Sequence, residues 1–167
     1  MLYALEIPDL FGLPLGDTEF ANAAAAWDAL PEPLRQQIEG RRAVFDFTGR
    51  KRAFPPTQAE IQRYPPVRHP IVRTHPFTGR KCLYVMRDDC VGIDGMERKE
   101  AEALIAALAD HIVKPSFVYR HQWREGDLVI WDNRCTMHRG RPYDESETRD
   151  LHRVTTRDVA STLDQVA

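Results

Sequence analysis

The sequence predicts a mainly β fold with α-helices, of the double-stranded β-helix or jelly-roll type. Short apolar runs that end at proline or glycine predict strands, and one long amphipathic segment predicts a helix. Strands that pair across long loops, with helices packed outside them, are typical of a jelly roll. At 167 residues, of which 43% are hydrophobic and 29% charged, the chain suffices for one domain with a sizeable core.

Several segments have the length and apolar character of strands, beginning with the run that ends before Pro8. One hairpin is expected to turn at Thr78-Gly79 and to join the second predicted strand to the third. Another is expected to turn at Gly126 and to join the fourth to the fifth. The predicted strands are residues 2–7, 71–74, 81–86, 117–123, 128–131, 134–138 and 151–156.

Helices are predicted between these strands. An alanine run before Pro31 predicts the first, and Thr57 with Glu60 forms a capping box for the third. In the last, five apolar residues fall on one face, which indicates an amphipathic helix. The predicted helices are residues 20–30, 33–39, 57–64 and 97–113. The five residues of the apolar face are Ala101, Leu104, Ile105, Leu108 and Ile112.

Composition and charge exclude several classes of protein. The formal net charge of −2 gives no electrostatic basis for binding nucleic acid or an anionic membrane. The opening segment lacks a basic region and contains Glu6 and Asp9, so it predicts no signal peptide. No apolar run approaches the roughly 18 residues that span a bilayer. Cys82, Cys90 and Cys135 form no Cys-x-x-Cys motif, which indicates reduced thiols in a cytoplasmic protein.

One histidine near the C-terminal end has the setting of a metal ligand. His138 lies on a predicted strand, and Arg149 follows it eleven residues later. Imidazole suits Fe(II), which non-haem oxygenases hold with two histidines and one carboxylate. A lone strand histidine is also an ordinary structural residue, so both interpretations stand. The other two ligands usually come as His-x-Asp or His-x-Glu, but the residues two places after the six histidines are Ile71, Phe77, Val113, Trp123, Gly140 and Val154.

Three blocks in the same order resemble the taurine dioxygenase and 2,4-dichlorophenoxyacetate dioxygenase family, with the latter branch closer. They are ALEIPDLFGLPLGDTEFANAAAAWDALP, HPIVRTHPFTGRKCLYV, and GDLVIWDNRCTMHRGRPYD through LHRVTTRD. The resemblance implies a cupin-like jelly roll that is incomplete at the N-terminus, because the family's His-x-Asp pair precedes the strand of residues 2–7. Residues 1–167 are then expected to be the C-terminal part of a single dioxygenase domain.

The resemblance also implies a role for four residues, with Fe(II) as the metal and 2-oxoglutarate as the cosubstrate. His138 matches the distal metal ligand, and no catalytic residue separate from the metal site is implied. Arg149 matches the arginine that pairs with the far carboxylate of 2-oxoglutarate, where the planar guanidinium fork donates two hydrogen bonds. Thr18 matches the threonine that helps hold this carboxylate, although a threonine before a helix is also an ordinary N-cap. Arg153 is expected to bind an anionic group of the primary substrate.

The implied activity is hydroxylation of a small anionic organic substrate with O2, coupled to decarboxylation of 2-oxoglutarate to succinate. Without a His-x-Asp pair the chain is expected to be inactive alone. The alternative is a non-catalytic remnant that binds an organic acid or a partner subunit. Expected partners are the small molecules, with no nucleic acid or membrane, and a homo-oligomer is left open. The basic residues Arg41, Arg42, Arg50, Lys51 and Arg52 predict a solvated loop, with admission of an anionic substrate as the alternative.

Overall fold

The computed structural model describes residues 1–50, 54–144 and 146–156. Its strands are β1 (Leu2–Glu6), β2 (Asp9–Leu10), β3 (Leu13–Pro14), β4 (Thr18–Asn22), β5 (Arg42–Phe45), β6 (Val67–Pro70), β7 (Val72–Thr74), β8 (Lys81–Leu83), β9 (Cys90–Ile93), β10 (Val118–His121), β11 (Leu128–Val129), β12 (Thr136–Gly140) and β13 (Asp150–Arg153). Its α-helices are α1 (Ala23–Asp28), α2 (Glu32–Ile38), α3 (Gln58–Arg63) and α4 (Arg98–Ile112). Short 3-10 helices lie at Phe47–Gly49 and Pro115–Phe117. The prediction of a mainly β fold with helices is confirmed.

The chain forms two compact units. The first comprises residues 1–22 and the described residues from 115 onward, and the second comprises residues 23–114. In the first unit, one antiparallel sheet has the order β11-β1-β13 and another has the order β10-β4-β12. Each central strand comes from the first 22 residues, and each is flanked on both sides by strands from the last third of the chain. Pairing across such long sequence separations positions the candidate site.

The predicted helix at residues 20–30 is wrong at its beginning. Residues 18–22 form β4, and helix α1 begins only at Ala23. Because β4 pairs with β10 on one side and β12 on the other, sheet hydrogen bonds and burial override the helical tendency of the alanine run. The alternative interpretation of Thr18 as a helix N-cap is therefore wrong as well, since Thr18 is the first residue of this strand.

The predicted hairpin around Gly126 is also wrong. Strand β10 pairs with β4, whereas β11 pairs with β1, so residues 122–127 pass from one sheet to the other. The turn is held by β1, because the Gly126 amide donates to the carbonyl of Ala4 and the Ala4 amide donates to the carbonyl of Asp127, each at 2.9 Å. Trp123, in this crossing segment, is fully buried. Burial of this large apolar side chain stabilises the segment that crosses between the sheets.

The second unit confirms the locally coded predictions. Strands β7 and β8 pair antiparallel around Gly79, with Val72 opposite Leu83. The capping box is present, because Thr57 and Glu60 exchange backbone and side-chain hydrogen bonds at the start of α3. The five predicted apolar residues of α4 are all buried. Helix α1 packs against β8, and a third antiparallel sheet has the order β6-β5-β9.

Two predicted strands near the C-terminal end differ slightly from the observed ones in their bounds. The strand predicted at 134–138 begins at Thr136, and the strand predicted at 151–156 is β13. The cysteines are free thiols, and burial raises the pKa of Cys90 to about 11. Among the described residues, we find no helix with the length and apolar composition needed to cross a bilayer.

Candidate active site

Strand β4 brings two of the predicted site residues, His138 and Thr18, onto one face of its sheet. His138 on β12 lies directly opposite Phe20, and Gly140 lies opposite Thr18. Because side chains alternate along a strand and opposite residues share a face, His138, Phe20 and Thr18 point to the same side. His121 on β10 is opposite Thr18 from the other neighbour and shares this face. The sheet register thus joins residues that are separated by about 120 positions in the chain.

His138 lies between aromatic rings at this face. Its ring centroid is 4.8 Å from that of Trp131 and 6.2 Å from that of Phe20. His138 is exposed as a whole residue, although the two rings cover part of the imidazole. This partial burial is the main cause that lowers the pKa of His138, and the positive charge of Arg153 lowers it further. These effects favour the neutral imidazole, which is the form that binds metal.

Thr18 is oriented by a buried tryptophan. The indole Nε1 of Trp123 donates to the Thr18 hydroxyl oxygen at 3.0 Å, and both residues are buried. A hydroxyl that accepts from an indole N–H keeps its own hydrogen for donation to another acceptor. Thr18 can therefore donate a hydrogen bond to an anionic ligand at the face that it shares with His138.

Arg149 has a buried donor that suits a carboxylate. Its Nη2 donates to the carbonyl of Gly16 at 2.8 Å, and its guanidinium carbon lies 5.6 Å from the ring centroid of Tyr143. Its Nε is buried and has no hydrogen-bond partner among the described residues. Burial lowers the pKa of Arg149, but arginine remains a cation in proteins. Buried donors normally have partners, so the unpartnered Nε is unusual, and a guanidinium is a suitable partner for a carboxylate.

Arg149 approaches the backbone closely because residue 16 is glycine. Gly16 has a φ of +72°, and a Cβ added there would lie 2.7 Å from Arg149 Nε and 3.1 Å from the ring of Tyr143. A larger residue would be strained in this backbone conformation and would also displace the guanidinium. The glycine therefore determines where Arg149 lies relative to Thr18, two residues further on.

We expect Gly16→Ala to reduce both stability and cosubstrate binding. The positive φ alone should lower the free energy of unfolding by about 1–2 kcal/mol, and displacement of Arg149 should add to this loss. Gly12→Ala is the matched control, because Gly12 has a φ of +82° with nothing within 4 Å of an added Cβ. Urea denaturation of both variants measures the difference. Equal losses would show that the approach of Arg149 to Gly16 is unimportant.

Arg153 lies on β13, where it is exposed and opposite Leu2. Its positive charge acts on His138, so the structure brings the predicted substrate arginine near the predicted metal ligand. The four predicted site residues thus belong to the first unit.

Sequence reasoning missed two residues that support them, Asp17 and Trp123. Only the position of Asp17 next to Thr18 could have indicated it.

Other residues singled out in the sequence have structural contacts. Asp132 accepts from the backbone amide of Arg134 at 2.8 Å, which caps the turn, and Asn133 accepts from the indole of Trp131 at 2.7 Å. A ring nitrogen of His121 lies 3.1 Å from an oxygen of Asp127. A cleft of about 800 Å³ also lies in this unit, but its lining includes none of the four predicted site residues.

The basic segment belongs to the second unit. Arg50 forms a two-point ion pair with Asp89, which largely cancels its charge. Arg41 donates to the carbonyl of Gln37, and Arg42 donates to the carbonyl of Arg68. Lys51 and Arg52 lie outside the described residues. The contacts of Arg41, Arg42 and Arg50 are those of an ordinary loop and strand edge.

The first unit thus contains an imidazole, an oriented hydroxyl and a buried arginine donor that has no partner in the described part of the chain. Imidazole is a residue type of metal-binding proteins, and a guanidinium is a residue type of carboxylate-binding proteins. The chain belongs to the taurine catabolism dioxygenase TauD, TfdA family, whose model matches residues 1–155. The resemblance predicted from the sequence is confirmed.

Several relatives are similar over most of the chain. The α-ketoglutarate-dependent 2,4-dichlorophenoxyacetate dioxygenase of Cupriavidus pinatubonensis is 45% identical over 148 residues, which cover 87% of this chain and 51% of that protein. An alkylsulfatase of Acinetobacter baylyi is 35% identical over 152 residues, covering 85% and 46%. The crystal structure of AAD-2 in complex with Mn(II) and N-oxalylglycine is 38% identical with a TM-score of 0.82, covering 90% of this chain and 59% of that one. The chain spans about half the length of the curated relatives that it matches.

Proposed function

We propose that this chain is the C-terminal part of a single Fe(II)/2-oxoglutarate-dependent dioxygenase domain. It would supply His138 as one metal ligand, Thr18 and Arg149 as the site for the far carboxylate of 2-oxoglutarate, and Arg153 as the contact for an anionic substrate. The observation that carries the proposal is the buried Nε of Arg149, which has no partner among the described residues and lies against Gly16. The His-x-Asp pair has to come from residues outside this sequence.

The proposed reaction is the one that membership of the dioxygenase family implies. Bound Fe(II) supplies the activation of O2. One oxygen atom enters a C–H bond of the substrate to form a hydroxyl group, and the other enters 2-oxoglutarate, which loses CO2 and becomes succinate. The atoms balance without another reductant, because oxidative decarboxylation of 2-oxoglutarate provides two electrons.

Residues of this chain would bind and orient the reactants. The Arg149 guanidinium would neutralise the far carboxylate of 2-oxoglutarate, and the Thr18 hydroxyl would donate to an oxygen of this same group. Because Trp123 holds the Thr18 oxygen, the hydroxyl hydrogen has a restricted direction. Together these contacts would fix the cosubstrate relative to His138 on the same sheet face, which is how a site lowers the entropic barrier of a reaction.

The substrate is proposed to be a small organic acid. Arg153 presents an exposed positive charge close enough to His138 to lower the pKa of that imidazole. Relatives carry names that refer to 2,4-dichlorophenoxyacetate, to phenoxypropionate and to sulfate esters, each of which is an anion. An arginine beside the metal ligand would select such molecules by pairing with the anionic group and directing the remainder toward the metal.

The chain by itself is expected to lack a tight His138-dependent metal site. Affinity for a divalent ion depends on the number and geometry of the ligands, and one imidazole supplies only one of three. Calorimetry with Mn(II) and 2-oxoglutarate should give the same heats for the chain and for His138→Ala. Micromolar binding that His138→Ala abolishes would contradict this expectation, because it would mean that this sequence supplies the other ligands.

The enzyme and the non-catalytic alternative predict different outcomes when the other ligands are provided. We define the extended protein as this chain preceded by the segment of the 45% identical relative in which the family resemblance places the His-x-Asp pair. With Fe(II), O2 and 2-oxoglutarate, it should form succinate, and His138→Ala should abolish this activity. Binding of 2-oxoglutarate or an organic acid without succinate formation, in an extended protein that binds Fe(II), would favour the non-catalytic remnant.

A further inference from the structure

Asp17 is a buried carboxylate that the proposed reaction does not yet use. It is 2% exposed, and it lies between Gly16, which contacts Arg149, and Thr18. The Nε of Arg120 donates to its Oδ2, while its Oδ1 is buried with no hydrogen-bond partner among the described residues. Burying a carboxylate is unfavourable unless neighbouring charges compensate for it. A second positive charge besides Arg120 is therefore expected to act on Asp17.

Arg149 places a positive charge against Gly16, the residue that precedes Asp17. Its Nη2 donates to the carbonyl of Gly16, and its Nε lies 2.7 Å from the position that a Cβ on Gly16 would take. Burial lowers the pKa of Arg149, and electrostatic interactions with Tyr143 and then with Asp17 partly offset this lowering. Asp17 is fixed in turn by the backbone, because its carbonyl accepts from the Arg141 amide at 2.8 Å. Asp17 and Arg149 are the two residues with a buried unpartnered side-chain atom in the described part of the chain.

We propose that Asp17 is a positioning residue for Arg149, in which its buried carboxylate, held by Arg120, fixes the guanidinium in the orientation that receives a carboxylate of 2-oxoglutarate. The inference rests on the proposed function, because it assigns Arg149 to the cosubstrate. Asp17 itself would not touch the cosubstrate, since two like charges in contact repel each other. Its effect would reach the ligand only through the arginine.

Glu19 provides a matched control. It lies two residues away and accepts from both Arg139 and Arg141 at 2.7 Å, so it is also an acid held by arginines. Its side chain is 12% exposed, compared with 2% for Asp17, and its partners do not include Arg149. The variants Asp17→Asn and Glu19→Gln each remove one charge with little change in shape. They differ in whether the lost carboxylate acts on Arg149.

The test is NMR of the chain labelled with 15N in its arginine and tryptophan side chains, without ligand and during titration with 2-oxoglutarate. In Asp17→Asn, hydrogen exchange at Arg149 Nε should accelerate by about tenfold, while the signals of Arg139 and Arg141 stay unchanged. Binding of 2-oxoglutarate, followed by the indole signal of Trp123, should weaken by about fivefold. Glu19→Gln should leave both quantities within about twofold of the parent chain.

Each outcome has a defined meaning. If Arg149→Lys weakens 2-oxoglutarate binding but Asp17→Asn changes neither binding nor exchange, the positioning role is wrong and the proposed function stands. If Arg149→Lys has no effect either, the proposed function fails together with the inference. If Asp17→Asn does not fold, the parent chain decides. The parent chain should show slow exchange of the hydrogen on Arg149 Nε and a nuclear Overhauser contact between this hydrogen and the Asp17 side chain. Fast exchange without the contact would overturn the proposal.

Discussion

Arg149→Lys in the extended protein is expected to weaken 2-oxoglutarate binding by about 1.5–3 kcal/mol, which corresponds to roughly 10- to 150-fold. Lysine keeps the positive charge but cannot donate two parallel hydrogen bonds to a carboxylate. It would also lose the Nε that is buried without a partner among the described residues. Calorimetric titration with 2-oxoglutarate measures the change in dissociation constant.

Arg139→Lys is the control for this variant. Arg139 donates to Glu19 at 2.7 Å, and its side chain is 64% exposed, so it makes an ordinary surface ion pair. Its replacement should change 2-oxoglutarate affinity by no more than about twofold, because exposed ion pairs contribute little. Equal affinities for Arg149→Lys and the parent protein would show that the cosubstrate carboxylate binds elsewhere.

Trp123→Ala is expected to destabilise the chain by about 3–5 kcal/mol, because it removes a fully buried indole and leaves a large cavity. Two effects contribute to this loss. The apolar ring is the buried side chain of the segment that passes from one sheet of the first unit to the other. The indole N–H donates a hydrogen bond to the buried hydroxyl oxygen of Thr18. Urea denaturation, followed by circular dichroism, measures the free energy of unfolding.

Trp123→Phe separates these two effects. Phenylalanine keeps most of the apolar volume but has no N–H, so this variant should lose only about 1–2 kcal/mol from the hydrogen bond and the smaller ring. It should also weaken 2-oxoglutarate binding, because the Thr18 hydroxyl would no longer be oriented. A loss for Trp123→Ala below about 1 kcal/mol would contradict the structural role of the indole.

Elements that are coded by local patterns were predictable from the sequence. The periodicity of α4, the capping box of α3 and the turn between β7 and β8 each depend on residues within about 15 positions. Strand β4 and the crossing at residues 122–127 were mispredicted, because both depend on partners about 100 or more positions away. Alanine-rich sequence and a glycine turn favour helix and hairpin locally, and tertiary pairing overrode both tendencies.

The residues of the candidate site could likewise be predicted only in part from the sequence. His138 and Arg149 could be proposed from residue type and spacing together with the family resemblance, and Thr18 from the resemblance. Asp17 and Trp123 could not, because their importance lies in burial and in contacts with residues about 100 positions away that no short motif records. Supporting residues act through contacts with residues that are remote in the sequence, and such contacts can be identified only from the three-dimensional structure.

The most direct measurement is a crystal structure of the extended protein with Mn(II) and N-oxalylglycine, an analogue of 2-oxoglutarate. His138 should be a metal ligand, and the far carboxylate of N-oxalylglycine should lie within hydrogen-bonding distance of Arg149 Nε and the Thr18 hydroxyl. Arg153 should remain free to face the substrate. A structure in which this carboxylate binds Arg153 or another cation, with Arg149 Nε still unpaired, would contradict the central claim.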